Sequence, residues 1–337
     1  MQAILARLAE GRDLTSREAA GAMELIAEGR ATEAQIASLI TALRLKGETA
    51  EEITAFARVL QGYALSIRPV VNGRLVDTCG TGGDRSGTFN ISTTSALVAA
   101  GAGVPVVKHG NRSVSSSCGS ADVLEALGVQ VNIPPHRVSA IVEKAGIGFL
   151  FAPSFHPALK YAAKARKDLG FSTIFNLLGP LLNPADAQAR LCGVFSPTLI
   201  PKFAATLCSL GTARAMVVHG DGLDEITTSG ETHVAEVEEG TIRRYTLTPE
   251  QFGIPRSPVA ALTGNSPREN AEIIRNVLSG GEGPARDVVV MNAGAAIYLG
   301  GKSIDLSSGI TRAEHAIDSG AAAEKLRVLI QMSEEHP

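Results

Sequence analysis

The sequence of 337 residues contains no tryptophan, and aromatic residues make up only 4% of it. Its 31 lysines and arginines face 34 aspartates and glutamates, which gives a formal net charge of -3. Nucleic-acid binding generally needs a basic excess to neutralise phosphates, and single strands also need aromatic side chains on which bases stack. The composition therefore argues against a nucleic-acid partner.

The four cysteines, Cys79, Cys118, Cys192 and Cys208, lie far apart and form no CxxC motif. In a chain of this length that spacing indicates reduced thiols of a cytoplasmic protein, not a disulfide framework or a zinc site. Residues 1–15 have the pattern of an amphipathic helix rather than of a signal peptide. Since no run of about 18 uncharged apolar residues occurs, we expect a cytoplasmic protein without a membrane partner.

Hydrophobic residues are plentiful, at 45%, and a chain this long can bury a large core and usually forms two domains. Apolar side chains recur at helical spacing through the first part of the chain, where Thr15, Thr32 and Thr49 each open a capping box. We expect a helical N-terminal domain over 1–68, joined by part of 166–185.

The pattern changes after Pro69, where short apolar runs begin to alternate with helical stretches. These runs predict β-strands at 74–76, 104–107, 148–151 and 215–218. Residues 231–246 predict a hairpin that turns at Glu239-Gly240. The alternation is typical of βαβ units, so we expect an α/β domain with a mostly parallel sheet over 69–337.

The loop 77–93 is rich in glycine and in hydroxyl side chains, and it joins a predicted strand to a predicted helix. Glycine allows backbone amides to approach an anion closely, and the positive end of the following helix strengthens the attraction. The loop matches neither GxxxxGK[ST] nor GxGxxG. We expect it to bind a phosphate-rich ligand; the alternative is a tight turn that binds nothing.

The loop 108–120 follows another predicted strand and collects cationic, amide and hydroxyl side chains. Lys108 and Arg112 are suited to phosphate oxygens. A lone histidine is more often structural than functional, but the position of His109 inside this polar cluster favours a functional role. Ligands of open α/β sheets bind at the carboxyl ends of the strands, so this loop and 77–93 should face one crevice.

Two further segments offer charged candidates. Asp221, Asp224 and Glu225 follow a predicted strand and suit Mg²⁺, which prefers oxygen ligands, although a solvated acidic turn is the alternative. The helical stretch that begins at His156 carries several cations. Arg166 is a candidate to bind a carboxylate, but spacing alone does not distinguish it from Lys164 or Lys167.

Six motifs occur in order along the chain: GTGGD at 80–84, NIST at 90–93, KHGNR at 108–112, GSADVLEALG at 119–128, FNLLGPLLNP at 175–184 and GLDE at 222–225. With them the chain resembles the anthranilate phosphoribosyltransferase family over essentially its whole length. The resemblance implies the nucleoside-phosphorylase-like (class III) phosphoribosyltransferase fold, with a small helical domain beside a larger α/β domain, and a homodimer. It also implies transfer of the 5-phosphoribosyl group of 5-phosphoribosyl 1-diphosphate to anthranilate, with Mg²⁺, in tryptophan biosynthesis.

The resemblance also implies roles for individual residues. Anthranilate would contact Gly80, His109, Asn111 and Arg166, and the metal would be held by Ser92, Asp224 and Glu225. The phosphoribosyl diphosphate would be held by Gly80, Gly83, Asp84, Thr88, Asn90, Ile91, Ser92, Thr93, Lys108, His109, Gly110, Asn111, Arg112, Ser113, Val114, Ser115, Ser116 and Ser120. An aniline nitrogen is a free base near neutral pH, so we expect no catalytic nucleophile or strong general base, only positioning and metal-assisted departure of diphosphate.

Two positions depart from the commonest form of the family: Ser117 stands where many members have lysine, and Ser172 where many have arginine. They bear on how anthranilate is positioned and on which acceptors are used. Two alternatives share the fold. One is a pyrimidine-nucleoside phosphorylase, which has a similar KHGNR-type loop, and the other is a non-catalytic paralogue that binds nucleic acid.

Overall fold

Helices fill the first part of the chain, as the apolar spacing predicts. They are α1 (Gln2–Ala9), α2 (Ser16–Ala27), α3 (Glu33–Lys46) and α4 (Ala50–Gly62). At Thr15, Thr32 and Thr49 the side chain accepts a hydrogen bond from the backbone amide of the third helical residue. The side chain of that residue in turn accepts a hydrogen bond from the backbone amide of the threonine. The three predicted capping boxes are therefore confirmed in this computed structural model, which describes residues 1–113 and 118–335.

Glu52 is a fully buried charge within this bundle. Its carboxylate accepts hydrogen bonds from Lys46 Nζ at 3.0 Å and from the backbone amides of Leu14 and Thr49, each at 2.8 Å. These donors lie in the turn that precedes α2, at the end of α3 and immediately before α4. A single side chain thus ties two inter-helix connections together.

A seven-stranded sheet forms the second part, in the order β3-β2-β1-β4-β5-β6-β7. The strands are β1 (Val76–Thr78), β2 (Val106–Gly110), β3 (Ile147–Phe151), β4 (Ala189–Gly193), β5 (Arg214–Gly220), β6 (Thr232–Glu238) and β7 (Thr241–Leu247). Neighbours from β3 to β5 are parallel, whereas β5, β6 and β7 are antiparallel. The mostly parallel sheet, the predicted strands and the hairpin turning at Glu239-Gly240 are confirmed, although the first strand lies at Val76–Thr78 and not at 74–76. β4 was not predicted.

Helices cover both faces of the sheet. They are α5 (Ile91–Gly101), α6 (Ser120–Leu127), α7 (Pro135–Ala145), α8 (Ala152–Phe155), α9 (Lys160–Leu169), α10 (Ile174–Leu178), α11 (Ile200–Ser209), α12 (Pro267–Leu278), α13 (Pro284–Leu299), α14 (Leu306–Asp318) and α15 (Ala321–Glu334). Within the described part of the chain, no helix combines the length and the apolarity that a membrane crossing would need.

Two buried cores lie on opposite faces of the sheet, because successive strand side chains point in opposite directions. Met216 and Val218 pack with α5, α13 and the C-terminal helices. Ala215 and Val217 face α11, α10 and the N-terminal helices. Ile174 and Leu178 also belong to this second core, so part of 166–185 packs with the helical bundle. The domain limits at 68 and 69 stay a prediction.

Replacing Glu52 with alanine should lower the free energy of unfolding by about 3 kcal/mol, because it leaves the Leu14 and Thr49 amides without their acceptor and removes one of the acceptors of Lys46. Urea unfolding would measure the loss. Glu33→Ala is the matched control, since Glu33 forms an exposed ion pair with Lys164, and it should cost less than about 1 kcal/mol. Equal losses in the two variants would contradict the role given to Glu52.

Candidate active site

The loops that follow β1, β2 and β5 surround a cavity of about 760 Å³ at the carboxyl edge of the parallel strands. Its opposite wall comes from α9 and α10, with Arg166, Phe175 and Leu178 among the lining side chains. The predicted convergence of the polar loops is therefore confirmed. A further lining segment, 263–265, was missed by the sequence analysis.

The glycine loop after β1 is shaped by the approach of Asp224. The backbone amide of Gly82 donates to Asp224 Oδ2 at 2.7 Å. A Cβ atom on Gly80 would lie 2.5 Å from the same oxygen, so a larger residue there would displace the Asp224 carboxylate. Gly83 has a φ of 82°, a left-handed conformation that glycine adopts without strain. The loop and the acidic turn after β5 therefore form one unit.

Three carboxylates meet at this junction. The amide of Asp224 points at Asp84 Oδ2, 3.4 Å away, and the Ser92 amide donates to Glu225 Oε1 at 3.1 Å. Burial, reinforced by the Asp84 carboxylate, raises the pKa of Asp224 to about 7. Burial and the neighbouring Asp224 raise the pKa of Glu225 well above its usual value. The third candidate of the acidic turn, Asp221, is exposed and instead accepts from Ser229 Oγ.

These carboxylates fit a divalent cation whose shell is completed from outside the protein. Crowded negative charge with raised pKa values is relieved by a bound cation. Within 1–113 and 118–335 no group of three or more His, Cys, Asp and Glu side chains has the arrangement of a protein-only metal site. Mg²⁺ does not need one, because it commonly uses one or two carboxylates with waters and substrate phosphates.

Lys108 is buried at the base of the cavity, with 4% of its surface exposed. Its ammonium group donates to the Thr78 carbonyl at 2.7 Å and to Ser92 Oγ at 3.1 Å. Its charge opposes the rise in the pKa of Glu225. Ser92 therefore lies between a cation and a carboxylate, at the start of α5.

Asn90 precedes α5, but its side chain does not cap that helix. Asn90 Nδ2 donates to the Cys118 carbonyl at 3.1 Å, and Asn90 Oδ1 accepts from Asn270 Nδ2 at 2.9 Å. Asn270, on α12, is fully buried. Thr88 forms a bridge with Thr263, which holds the segment missed by the sequence analysis against the glycine loop. No local pattern points to Asn270, because its partner is 180 residues away.

The end of the KHGNR motif turns toward α6. Arg112 makes a two-pronged ion pair with Glu125, at 2.5 and 2.7 Å, and a longer one with Asp122. The amides of Ser113 and Gly119 both donate to Asp122 Oδ2 at 2.9 Å. Gly110, Asn111, Arg112, Ser113 and Ser120 line the cavity with Gly80, Gly83, Asp84, Thr88, Asn90, Ile91, Ser92 and Thr93. Val114, Ser115, Ser116 and Ser117 lie outside the described residues.

The structure distinguishes Arg166 from its cationic neighbours on α9. Its guanidinium lies over the Phe175 ring, 5.2 Å from the centroid, and lines the cavity. Burial lowers the pKa of Arg166, and no hydrogen bond or ion pair joins its guanidinium to any described residue. Lys164 instead forms an ion pair with Glu33 outside the cavity, and Lys167 is exposed to solvent. Arg166 therefore has its charge available for an anionic ligand.

His109 and His156 form a buried pair with ring centroids 5.1 Å apart. His109 Nδ1 lies 3.2 Å from the Gly179 carbonyl, which requires the proton on that nitrogen. Burial lowers the pKa of His109 to about 4 and that of His156 to about 3. Both rings are therefore neutral near pH 7. The sequence analysis did not single out His156.

Comparison with known proteins agrees with this architecture. The model "Glycosyl transferase family, a/b domain" matches residues 72–323, and "Glycosyl transferase family, helical bundle domain" matches residues 2–64. Anthranilate phosphoribosyltransferase of Methanocorpusculum labreanum is 56% identical over 97% of this chain and 96% of its own length.

Solved structures agree as well. The crystal structure of the enzyme of that name from Thermus thermophilus is 44% identical, with a TM-score of 0.93 over 98% of this chain and 99% of its own. The Saccharomyces cerevisiae enzyme, solved in complex with PRPP and Mg, is 30% identical, with a TM-score of 0.89 over 98% and 97%.

The histidine pair makes the protein sensitive to acid. The folded state keeps His156 neutral, whereas the unfolded chain takes up a proton as the pH falls below about 6.5. The stabilisation is thus complete above that pH and is lost as the pH falls toward 3. In urea unfolding from pH 7 to 4.5, His156→Gln should make the decline shallower by up to about 1.4 kcal/mol per pH unit. The exposed His136, changed to glutamine, is the control; an unaltered slope in His156→Gln would refute the prediction.

Proposed function

The chain belongs to the anthranilate phosphoribosyltransferase family, and we propose that the cavity between the glycine loop and α9 is its active site. It transfers the 5-phosphoribosyl group of 5-phosphoribosyl 1-diphosphate to anthranilate, giving N-(5-phosphoribosyl)anthranilate and diphosphate, a reaction of tryptophan biosynthesis. The observation that supports this placement is the pairing, across one cavity, of an anion-binding loop with the free guanidinium of Arg166. Neither a nucleoside phosphorylase nor a nucleic-acid-binding paralogue is supported by these relatives.

The phosphoribosyl diphosphate lies, in this proposal, along the loops after β1 and β2. The glycine loop and the start of α5 line the cavity, and a glycine loop followed by a helix N-terminus suits phosphate oxygens. Lys108 adds a buried positive charge beside Ser92. Arg112 is paired with Glu125, so its use by the ligand requires that this ion pair open or share its donors. The remaining residues named above for phosphoribosyl diphosphate would contact the same ligand.

Asp224, Glu225 and Ser92 would hold Mg²⁺, in keeping with the Mg in the complex of the yeast relative. When bound, the ion would offset negative charge on the departing diphosphate. The protein itself holds the two carboxylates in place, through the amides of Gly82 and Ser92. It thus keeps them beside the loop where the diphosphate would lie.

Anthranilate would lie against Arg166 and would also contact His109, Asn111 and Gly80, which line the same cavity. Arg166 pairs with the carboxylate, because it is a half-buried cation without a hydrogen-bond or ion-pair partner among the described residues. The neutral His109 neither repels nor protonates the amine. Attack then depends on the position of the amine nitrogen relative to C1 of the ribose, a contribution that fixed binding walls can supply. No side chain of this chain is given the role of nucleophile.

The family's homodimer and cytoplasmic location stay predictions. So do the effects of Ser117 and Ser172 on acceptor choice. Ser172 precedes α10 and does not line the cavity, so any effect would be exerted through Thr173 and α10.

Arg166→Ala should weaken the use of anthranilate specifically. Loss of a charge-assisted hydrogen bond of about 1.5–3 kcal/mol predicts a roughly 10- to 100-fold fall in kcat/KM for anthranilate. The assay follows the loss of anthranilate fluorescence in the presence of phosphoribosyl diphosphate and Mg²⁺. It is carried out first with the purified natural protein and then with the variants. Lys167→Ala, one residue away and exposed, should behave as the natural chain does. Unchanged anthranilate kinetics in Arg166→Ala would refute the acceptor site.

Asp224→Asn together with Glu225→Gln should raise the Mg²⁺ concentration needed for half-maximal activity by about tenfold or more, because both anionic ligands are lost. The measurement is a Mg²⁺ titration of the same assay, with a chelator as the zero point. Asp221→Asn is the matched control, as Asp221 lies in the same turn but bonds to Ser229. A titration curve that coincides with that of the natural chain would overturn the metal assignment.

A further inference from the structure

The cavity wall formed by residues 179–184, here called the GPLLNP segment, is held in place through its backbone carbonyls. Gly179, Pro180 and Leu182 line the cavity. The donors to the segment come from separate elements: His109 Nδ1 to Gly179, Arg190 Nη1 to Pro180, Gln61 Nε2 to Leu181 and the Ile67 amide to Pro184. Its position is thus set by long-range contacts in addition to its own short 3-10 helix, Gly179–Leu181.

Arg190 contacts this wall from behind. It lies on β4, is 5% exposed and donates to the Pro180 carbonyl at 2.9 Å, yet it does not line the cavity. Across the parallel ladder it pairs in register with Asp77 on β1. Asp77 Oδ1 in turn accepts the His109 amide at 3.2 Å. Arg190 and Asp77 are thus neighbours in the sheet. Arg190 contacts Pro180 of the GPLLNP segment, and Asp77 contacts the backbone of His109, which also lines the cavity.

A buried arginine can also contribute to stability alone. Arg214, which is buried but remote from the cavity, serves as the comparison for Arg190. It lies on β5, is 9% exposed and donates through Nη1 to the carbonyl of Tyr298 at 3.2 Å. Both arginines also leave Nε without a partner among the described residues. Arg214 also forms an ion pair with Glu238 at 3.1 Å and lies over the Tyr298 ring. The carbonyl that it holds, Tyr298 on α13, does not line the cavity, whereas Pro180 does.

We propose that Arg190 is a positioning residue for the acceptor: by holding the Pro180 carbonyl from behind, it sets how far the GPLLNP segment stands from Arg166 and His109. The proposal rests on the proposed placement of anthranilate in this part of the cavity. Without the guanidinium, the Pro180 carbonyl loses its buried donor, and the wall can shift to satisfy it elsewhere. Such a shift changes the space for the anthranilate ring but not the loops for the phosphoribosyl diphosphate.

The test compares Arg190→Met with Arg190→Lys and with Arg214→Met in the full-length protein. Arg190→Met should raise the KM for anthranilate about tenfold, with the KM for phosphoribosyl diphosphate within about twofold. Arg190→Met should also lower the ratio of kcat/KM for anthranilate to kcat/KM for an anthranilate that carries a ring methyl group. Arg190→Lys keeps a cationic donor and should recover part of the loss. Arg214→Met should lower the melting temperature without changing the ratio of the two KM values.

Equal changes in the two KM values, or an Arg190→Met enzyme with unchanged KM values, would overturn the proposal. If Arg190→Met does not fold, Arg190→Lys carries the test, and an unaltered KM ratio and analogue preference in it count against the proposal. Arg166→Ala distinguishes a failure of the role given to Arg190 from a failure of the proposed acceptor site. If it raises the anthranilate KM while Arg190→Met does not, only the role of Arg190 fails. If neither variant changes that KM, the acceptor site itself is wrong.

Discussion

The close approach of the Asp224 backbone and side chain to two glycines is the constraint on which the rest of the site depends. A Cβ on Gly80 would lie 2.5 Å from Asp224 Oδ2, and one on Gly193 would lie 1.5 Å from the Asp224 carbonyl oxygen. The end of β4 and the acidic turn after β5 can meet only because Gly193 has no side chain, and the absence of one at Gly80 leaves room for the Asp224 carboxylate beside the glycine loop. The bond from the Gly82 amide then fixes the carboxylate in place. Close packing of backbone therefore creates the charged site.

This packing has an electrostatic cost that also defines what the site can bind. Asp84, Asp224 and Glu225 are brought together in a partly buried place, and the resulting rise in the pKa values of Asp224 and Glu225 is opposed at Glu225 by Lys108. Arg166 lies on the opposite wall and is directed into the cavity. Such a site favours a ligand that brings a divalent cation to the carboxylates and carries its own anionic groups to the amides and the arginine. A magnesium complex of a diphosphate, with a carboxylate as second substrate, has these properties.

Sequence patterns were sufficient wherever the signal is local. The capping boxes are short-range contacts, and the loops after β1, β2 and β5 meet because parallel strands end at one edge. β4 was missed because it is short and has Arg190 as its second residue, so neither a continuous apolar run nor an alternation marks it. Arg166 could not be separated from Lys164 by spacing, since burial against Phe175 distinguishes them only after folding.

The pleat of β2 explains how one short strand can contribute to both sides of the proposed active site. Successive strand residues point to opposite faces, so Lys108 and His109 diverge from adjacent positions. Lys108 reaches Thr78 and Ser92 on the side of α5, whereas His109 reaches the Gly179 carbonyl on the side of α10. A shift of β2 by one residue would exchange these two side chains and disable both halves of the site. The bond from the His109 amide to Asp77 helps to prevent that shift, because it ties β2 to the strand that carries the glycine loop.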